Sequence, residues 1–172
     1  MEGFLNPNKV LNNLGLQKDM VAVDFGCGSG GWVIPLAKRL EEGKVYAVDI
    51  LEEPLSALQS RAKLEKLSNI ETIRANAERG TSLATNSVDL VLITNLLFQI
   101  EDKKAVFSEA KRILKKGGEI LVVDWLPKVP LGPKKGRVLI DSVKKMAEDI
   151  KLKLKKEFTA GAYHYGLVFT KN

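Results

Sequence analysis

The stretch "VAVDFGCGSGGW", residues 21–32, joins a short apolar run to a turn rich in glycine. The Val-rich run is typical of a buried strand, and the glycines let a ligand approach the backbone closely before the next helix begins. Counted from Gly26, the glycines form G-x-G-x-x-G, the pattern of dinucleotide sites. Counted from Asp24, they form an acidic residue followed by G-x-G-x-G. The two patterns predict different ligands.

Asp24 distinguishes between these ligands. A dinucleotide carries a pyrophosphate, and two like charges about 4 Å apart repel by roughly 4 kcal/mol at the dielectric of a protein surface. A carboxylate at this position therefore disfavours NAD. S-adenosylmethionine has no phosphate and carries an ammonium and a sulfonium, which a carboxylate attracts. The sequence favours S-adenosylmethionine as the cofactor; the alternative for Asp24 is a turn residue that binds loop amides.

Strands and helices alternate on either side of this stretch. The apolar strand patterns predict a parallel sheet covered on both faces, which is a doubly wound α/β fold. Residues 153–172 predict two strands joined directly at Gly161, so one strand is antiparallel and the sheet is mixed. Strands are expected at 20–25, 44–50, 70–75, within 87–98 and at 119–125, and helices at 7–14, 32–42, 52–67, 101–118 and 137–150.

The composition is that of an ordinary globular domain, with 172 residues, 45% apolar and 28% charged. It predicts one domain over 1–172, with 1–15 as a helical cap and 126–137 as a loop on the substrate side. The one cysteine, Cys27, gives no disulfide framework and no zinc-ligand spacing. Neither a signal peptide nor an apolar run of about 18 residues is present. We therefore expect a cytoplasmic protein without a metal site.

The positive charge is concentrated in one part of the chain. Residues 1–125 hold 16 Lys/Arg and 17 Asp/Glu, whereas residues 126–172 hold 11 and 4. Such asymmetry is typical of a surface for RNA or another acidic partner, in which Lys128, Lys134, Lys135 and Arg137 would take part. The other interpretation needs no partner and takes the remaining lysines as solvated faces of a helix and an edge strand, namely Lys144, Lys145, Lys151, Lys153, Lys155 and Lys156.

Four motifs together resemble the class I S-adenosylmethionine-dependent methyltransferases, particularly the ubiquinone/menaquinone-biosynthesis-like (type 11) branch. The resemblance covers essentially the whole chain and implies a Rossmann-like sheet of seven strands, ordered 3-2-1-4-5-7-6, with the last antiparallel. It implies methyl transfer, with a small molecule as the favoured acceptor. RNA or protein acceptors and a non-catalytic binding module are the alternatives. The motifs are "VAVDFGCGSGGW", "VYAVDI", "SVDLVLITNLLFQI" and "AKRILKKGGEILVVDW".

The resemblance also implies a set of cofactor-binding residues. Asp49 would bind the ribose hydroxyls and Ile50 would pack on the adenine. Asn76 stands where the family often has an acidic residue, and its side-chain oxygen can accept the same hydrogen bond. The full set is Asp24, Gly26, Cys27, Gly28, Gly30, Asp49, Ile50, Asn76, Ala77 and Asn95.

No fixed catalytic residue is required, because methyl transfer is an in-line displacement that depends mainly on alignment of the reactants. The two candidates are Asn95, at the end of the fourth strand, and His164, as a general base. The other interpretation of Asn95 is a turn residue that caps the strand. The other interpretation of His164 is a packed or surface-facing side chain, because no carboxylate lies near this histidine in sequence. Trp125 either walls the acceptor pocket or packs in the core.

Overall fold

Strands and helices alternate along the chain in the computed structural model, which describes residues 3–172. The first two residues of the predicted cap 1–15 lie outside the described residues. The elements are α1 (Pro7–Leu11), β1 (Val21–Phe25), α2 (Val33–Arg39), β2 (Lys44–Asp49), α3 (Glu52–Leu64), β3 (Ile70–Arg74), β4 (Val88–Thr94), the 3-10 turn Leu97–Gln99, α4 (Lys103–Ile113), β5 (Leu114–Trp125), α5 (Ile140–Asp149), β6 (Leu152–Thr159) and β7 (His164–Lys171).

The seven strands form one sheet in the order β3-β2-β1-β4-β5-β7-β6. Neighbouring strands from β3 to β5 are parallel, whereas β7 runs antiparallel to both β5 and β6. The hairpin between β6 and β7 turns at Gly161, whose φ of +73° favours glycine. The predicted fold and strand order are therefore confirmed.

The element boundaries differ from the sequence prediction mainly at α4 and α1. The helix α4 ends at Ile113, well before the expected residue 118, because Leu114 is already extended and pairs with Val88 of β4. The Lys-Gly-Gly stretch thus belongs to an irregular start of β5, with Gly117 at φ +80°. The helix α1 is a single short turn, and the Asn6 side chain accepts a hydrogen bond from the backbone N–H of Lys9, as an N-cap does.

Two apolar clusters cover the two faces of the sheet. Helices α4 and α5 pack on one face, and α1, α2 and α3 pack on the other. Alternate residues of β1, β2, β4, β5 and β7 belong to opposite clusters, as the period of two requires. Asp24 therefore lies on the α1–α3 side, because Ala22 belongs to that cluster. The carboxyl ends of the parallel strands and the amino end of β7 meet at one edge, where α/β folds bind ligands.

Candidate functional site

The glycine loop after β1 has a conformation that side chains would disturb. Gly26, Gly28 and Gly30 have φ values of +68°, +52° and +93°. A Cβ at Gly26 would lie 2.6 Å from Leu96, and one at Gly30 would lie 2.3 Å from Leu58. At Gly28 a Cβ would meet nothing within 4 Å, so the backbone there faces open space. The loop is thus packed from behind and open toward the edge of the sheet.

Gly31 takes no part in this arrangement, whereas Cys27 belongs to the loop through its backbone, whose N–H donates to the carbonyl of Val48 and whose carbonyl accepts from Gly30. Gly31 completes the dinucleotide pattern, but its φ is not positive and a Cβ there would meet nothing within 4 Å. Cys27 is buried, and burial raises the pKa of its thiol, so the thiol stays protonated. The pattern through Gly31 therefore reflects an additional glycine at the start of α2 rather than a conformational requirement.

Asp24 is the unusual residue of the site. It is 1% exposed, and neither carboxyl oxygen has a hydrogen-bond partner among the described residues. The alternative that Asp24 binds loop amides is therefore wrong. Burial, and secondarily the charge of Asp49, hold the pKa of Asp24 well above its ordinary value. A buried carboxyl without partners is costly, and a cation bound beside it offsets that cost.

Asn95 brings a second unpartnered acceptor to the same edge. Its φ is +49°, its side-chain Oδ1 is buried without a partner, and its backbone N–H donates to the carbonyl of Val123 at 2.8 Å. The strands β1 and β4 are neighbours, with Asp24 opposite Leu92. The three unpartnered oxygens, two of Asp24 and one of Asn95, fit a group with several N–H donors and a positive charge, such as the ammonium of S-adenosylmethionine.

Asp49 connects the glycine loop to the end of β2. Its Oδ2 accepts a hydrogen bond from the backbone N–H of Gly28 at 2.9 Å, and its Oδ1 accepts one from Leu51 at 3.0 Å. Each carboxylate oxygen keeps a second lone pair, so two vicinal hydroxyls can still donate to it. Ile50 follows and is 56% exposed, which leaves its side chain free to pack on a ligand ring.

Asn76 and Ala77 lie after β3. The Asn76 Oδ1 accepts a hydrogen bond from the backbone N–H of Glu78 at 2.8 Å, so its amide already forms a local turn. Ala77 is buried in the cluster on the α4–α5 side. The cofactor roles of both residues stay predictions.

Asp124 orders the backbone beside Asn95, a role that was not predicted from the sequence. It is fully buried, and its carboxylate accepts hydrogen bonds from the backbone N–H groups of Leu97 at 2.9 Å and Trp125 at 2.8 Å. These bonds hold the turn that follows Asn95. The signal was present, because β1, β2 and β5 each carry a Val-Asp pair near their carboxyl ends.

His164 and Trp125 lie at the same edge of the sheet as the glycine loop, at the start of β7 and the end of β5. They are opposite each other in the β5–β7 register, and their ring centroids are 4.1 Å apart. His164 is 1% exposed, and burial lowers its pKa to about 4, so the imidazole is neutral at neutral pH. Within residues 3–172, neither ring nitrogen has a hydrogen-bond partner. The burial agrees with a packed side chain, and the role of His164 as a general base stays a prediction.

The loop 126–137 is organised by Arg137. Its guanidinium donates hydrogen bonds to five backbone carbonyls, so its donor groups are used within the loop, and the predicted docking surface stays a prediction. Gly132 of this loop lies against Trp125, where a Cβ would come within 2.4 Å of the indole. The loop is therefore a folded wall beside Trp125. The five acceptors are Leu126, Pro127, Val129, Leu131 and Pro133.

Two further features bear on the class of protein. Over residues 3–172, no three His, Cys, Asp or Glu side chains lie close enough together to hold a metal ion. Within the same range, no helix has the length and apolar character needed to cross a membrane.

A family model described as "Methyltransferase domain" matches residues 22–118, more than half of the chain. The chain is 34% identical over 110 residues to a demethylmenaquinone methyltransferase from Geobacillus stearothermophilus, an alignment that covers 63% of this chain and 47% of the relative. The solved structure of an S-adenosylmethionine-dependent methyltransferase from Aquifex aeolicus superposes with a TM-score of 0.89 at 26% identity, covering 98% of this chain and 90% of that one.

A Haemonchus contortus phosphoethanolamine N-methyltransferase 2, solved with S-adenosyl-L-methionine, has a TM-score of 0.82 at 15% identity, covering 96% of this chain and 52% of that one. This likeness concerns the fold alone. The chain belongs to the methyltransferase domain family. The resemblance to the class I enzymes and the expectation of S-adenosylmethionine as the cofactor are confirmed at the level of this family. The chain spans about half the length of the curated relatives it matches.

Proposed function

We propose that this protein transfers a methyl group from S-adenosylmethionine to a small-molecule acceptor. The surroundings of Asp24 support this proposal most directly. Its carboxyl group is buried without a hydrogen-bond partner among the described residues, and it lies beside a glycine loop that is open at Gly28. A cation is the group that this arrangement accommodates. The cytoplasmic location predicted from the single cysteine is part of this proposal.

Different residues of the site would bind different parts of the cofactor. Asp24 and the Asn95 side chain would receive the ammonium, and the Asp49 carboxylate would receive the ribose hydroxyls. Ile50 would pack on the adenine, with Asn76 and Ala77 beside it. The glycine loop, represented by Gly26, Cys27, Gly28 and Gly30, would lie against the methionine portion.

When bound, S-adenosylmethionine supplies a methyl carbon already activated by the sulfonium. The protein then has to hold the acceptor in line with that carbon and exclude water, which in well-oriented systems contributes on the order of 7 to 11 kcal/mol. Asp124 supports this by fixing the turn after Asn95, and Arg137 supports it by folding the loop beside Trp125. These two contributions are positional, because neither side chain faces open space as a reacting group.

A small-molecule acceptor agrees with the name of the similar Geobacillus stearothermophilus protein, a demethylmenaquinone methyltransferase. The alternative of RNA or protein has less support, because Arg137 is used within its own loop. Several C-terminal lysines also form ion pairs: Lys144 with Glu157, Lys145 with Asp149 and Lys155 with Glu119.

The proposal is tested in two steps with the full chain. Calorimetry with S-adenosylhomocysteine should detect binding, and a folded protein that shows no heat would remove the proposal. Labelled S-adenosylmethionine is then incubated with a cell extract separated into small molecules and macromolecules. Label in the small-molecule fraction supports the proposal; label in macromolecules only supports the alternative, and label in neither indicates a binding module.

A further inference from the structure

The loop 126–137 and the residues beside it present large apolar side chains to solvent. Leu131 is 48% exposed, Leu139 is 58% exposed and Phe4 is 62% exposed. A single exposed side chain of this kind needs no explanation, whereas several in one region mark a site for another protein or a membrane. Whether these three side chains share one region is therefore decisive.

The three side chains lie at the edge of the sheet that also carries the glycine loop. Gly132, which follows Leu131, has its backbone against the indole of Trp125, and Phe4 lies 6.4 Å from the same indole between ring centroids. Leu139 immediately precedes α5. The helix α5 begins at this edge, because β6, which follows α5, starts at the far end of β7. The apolar side chains thus surround the end of β5.

The backbone holds these side chains in place. Leu5, next to Phe4, packs against the apolar cluster on the α1–α3 side and fixes the segment that carries the ring. Arg137 donates to the carbonyl of Leu131 at 2.6 Å and ties the rest of the loop to the same guanidinium. Binding through these side chains therefore does not have to order a flexible segment first.

The same loop is positively charged. Lys128, Lys134 and Lys135 are exposed, and residues 126–140 contain no Asp or Glu. Over residues 3–172, none of these three lysines forms an ion pair, unlike several lysines of α5 and β6. Unpaired positive charges thus flank the exposed apolar side chains.

An anionic lipid bilayer matches both properties. Its phosphates attract lysines, and its apolar interior takes up leucine and phenylalanine side chains. RNA also offers phosphates, but it gives the leucines no apolar partner, and residues 126–139 contain no aromatic side chain to stack on bases. A second copy of the chain would bring its own lysines against these lysines, and like charges repel.

We propose that this region, the loop patch, docks on an anionic lipid bilayer. The apolar side chains enter the headgroup region and the lysines pair with lipid phosphates, so the edge of the sheet with the glycine loop turns toward the bilayer. This docking goes beyond the proposed methyl transfer and does not depend on it. The loop patch consists of Phe4, Lys128, Leu131, Lys134, Lys135 and Leu139.

The test measures co-sedimentation of the full chain with lipid vesicles. We expect binding to vesicles of phosphatidylcholine and phosphatidylglycerol in equal parts. Binding to pure phosphatidylcholine should be weaker by about tenfold or more, because each lysine near an anionic surface contributes about fivefold. A higher salt concentration should weaken the binding to the anionic vesicles. Binding that is absent, or equal on both kinds of vesicle, overturns the inference.

Two double variants separate the position of the charges from their number. Lys134→Gln with Lys135→Gln should weaken binding to the anionic vesicles by about tenfold or more. The matched control is Lys63→Gln with Lys116→Gln, two exposed lysines outside the loop patch, and it should change binding by less than about twofold. Equal losses in the two double variants would show a general charge effect and overturn the assignment of the loop patch.

Leu131→Ser tests the apolar contribution. Because about half of this leucine side chain is free to enter the bilayer, its removal should weaken binding by about threefold or more. Leu64→Ser is the matched control, since Leu64 lies on α3 and is 82% exposed, and it should leave binding unchanged. The same affinity in both variants would overturn the role of the apolar side chains.

Two further measurements identify a different partner. Polyuridine that is retained by the wild type and lost in the Lys134 and Lys135 variant, without vesicle binding, would assign the loop patch to RNA. A dimer that Leu131→Ser abolishes would assign it to a second copy of the chain. Either result overturns the inference. Calorimetry with S-adenosylhomocysteine is run on every variant: absent binding counts against the proposed function alone, and binding without vesicle docking counts against the docking surface alone.

Discussion

Two buried carboxylates of this protein have opposite surroundings. Glu109, on α4, accepts hydrogen bonds from the Thr81 backbone and hydroxyl at 2.7 Å each and pairs with Arg112 at 2.7 Å. Asp24, at the end of β1, accepts none. Both side chains are less than 10% exposed. The fold itself supplies hydrogen-bond partners to the Glu109 carboxylate, whereas the Asp24 carboxyl group is left for a ligand to pair.

The pKa directions follow from these surroundings. Burial acts to raise the pKa of Glu109, but the hydrogen bonds from Arg112 and Thr81 outweigh it and lower the pKa to about 2. For Asp24, burial and the Asp49 charge both act upward. Glu109 is therefore expected to contribute to stability, and Asp24 to binding.

Asp24→Asn should have the largest effect on cofactor binding. Because the variant keeps the shape of the side chain but cannot become negative, we expect S-adenosylhomocysteine to bind about 100-fold more weakly or worse, equivalent to about 3 kcal/mol. The free energy of unfolding should change by less than about 1 kcal/mol, because no hydrogen bond of the fold is lost. Calorimetry and urea unfolding measure the two quantities. Asp19→Asn, on the surface, is the matched control, and equal affinities in both variants would contradict the role of Asp24.

Glu109→Gln should show the reverse pattern. The loss of a buried, charge-assisted network is expected to lower the free energy of unfolding by about 2 kcal/mol, while cofactor affinity stays within twofold. Since folding depresses this pKa from 4.5 to about 2, the contribution is present above pH 4.5 and is lost as the pH falls through 2. Urea unfolding from pH 6 to pH 3 checks this, with the exposed Glu42→Gln as control. A parallel pH dependence in both variants would exclude Glu109 as its source.

Cofactor binding should release a proton from Asp24. Burial and the Asp49 charge raise the pKa of Asp24 in the free protein, whereas a bound ammonium lowers it, so between the two pKa values we expect affinity to rise with pH, by up to about tenfold per unit. Calorimetry in two buffers of different ionisation enthalpy measures the released proton. The release should be absent in Asp24→Asn; a release of the same size in that variant would assign the proton to another group.

Arg137→Lys is expected to give the smallest effect. A lysine cannot reach five carbonyls at once, so the loop beside Trp125 should loosen and stability should fall by about 1 kcal/mol. Hydrogen exchange of residues 126–137 should speed up, whereas affinity for S-adenosylhomocysteine should not change. Lys135→Ala, at an exposed position of the same loop, serves as control, and unaltered exchange in Arg137→Lys would show that the carbonyl contacts do not order the loop.

The fold and the polar residues expected to bind the cofactor could be predicted from the sequence. The contacts around Trp125 and His164 could not. The alternation of strands and helices and the Val-Asp strand ends are local patterns, so β1 and β2 with Asp24 and Asp49 could be identified directly. The contacts of Arg137 and the position of Phe4 over His164 depend on folding of a loop and on a segment distant in sequence. No periodicity encodes such contacts, and the sequence alone does not separate Arg137 from the exposed basic residues of its loop.

The position of β7 has a consequence for synthesis of the chain. β7 follows β6 in the sequence but lies between β5 and β6 in the sheet. Until residues 164–171 have been made, the apolar strand β5 has an open edge on that side and β6 has nothing to join. An exposed edge of this kind can pair with another chain. The nascent protein is therefore most prone to aggregate after β5 emerges from the ribosome and before β7 inserts, a window in which a chaperone has the greatest effect on yield.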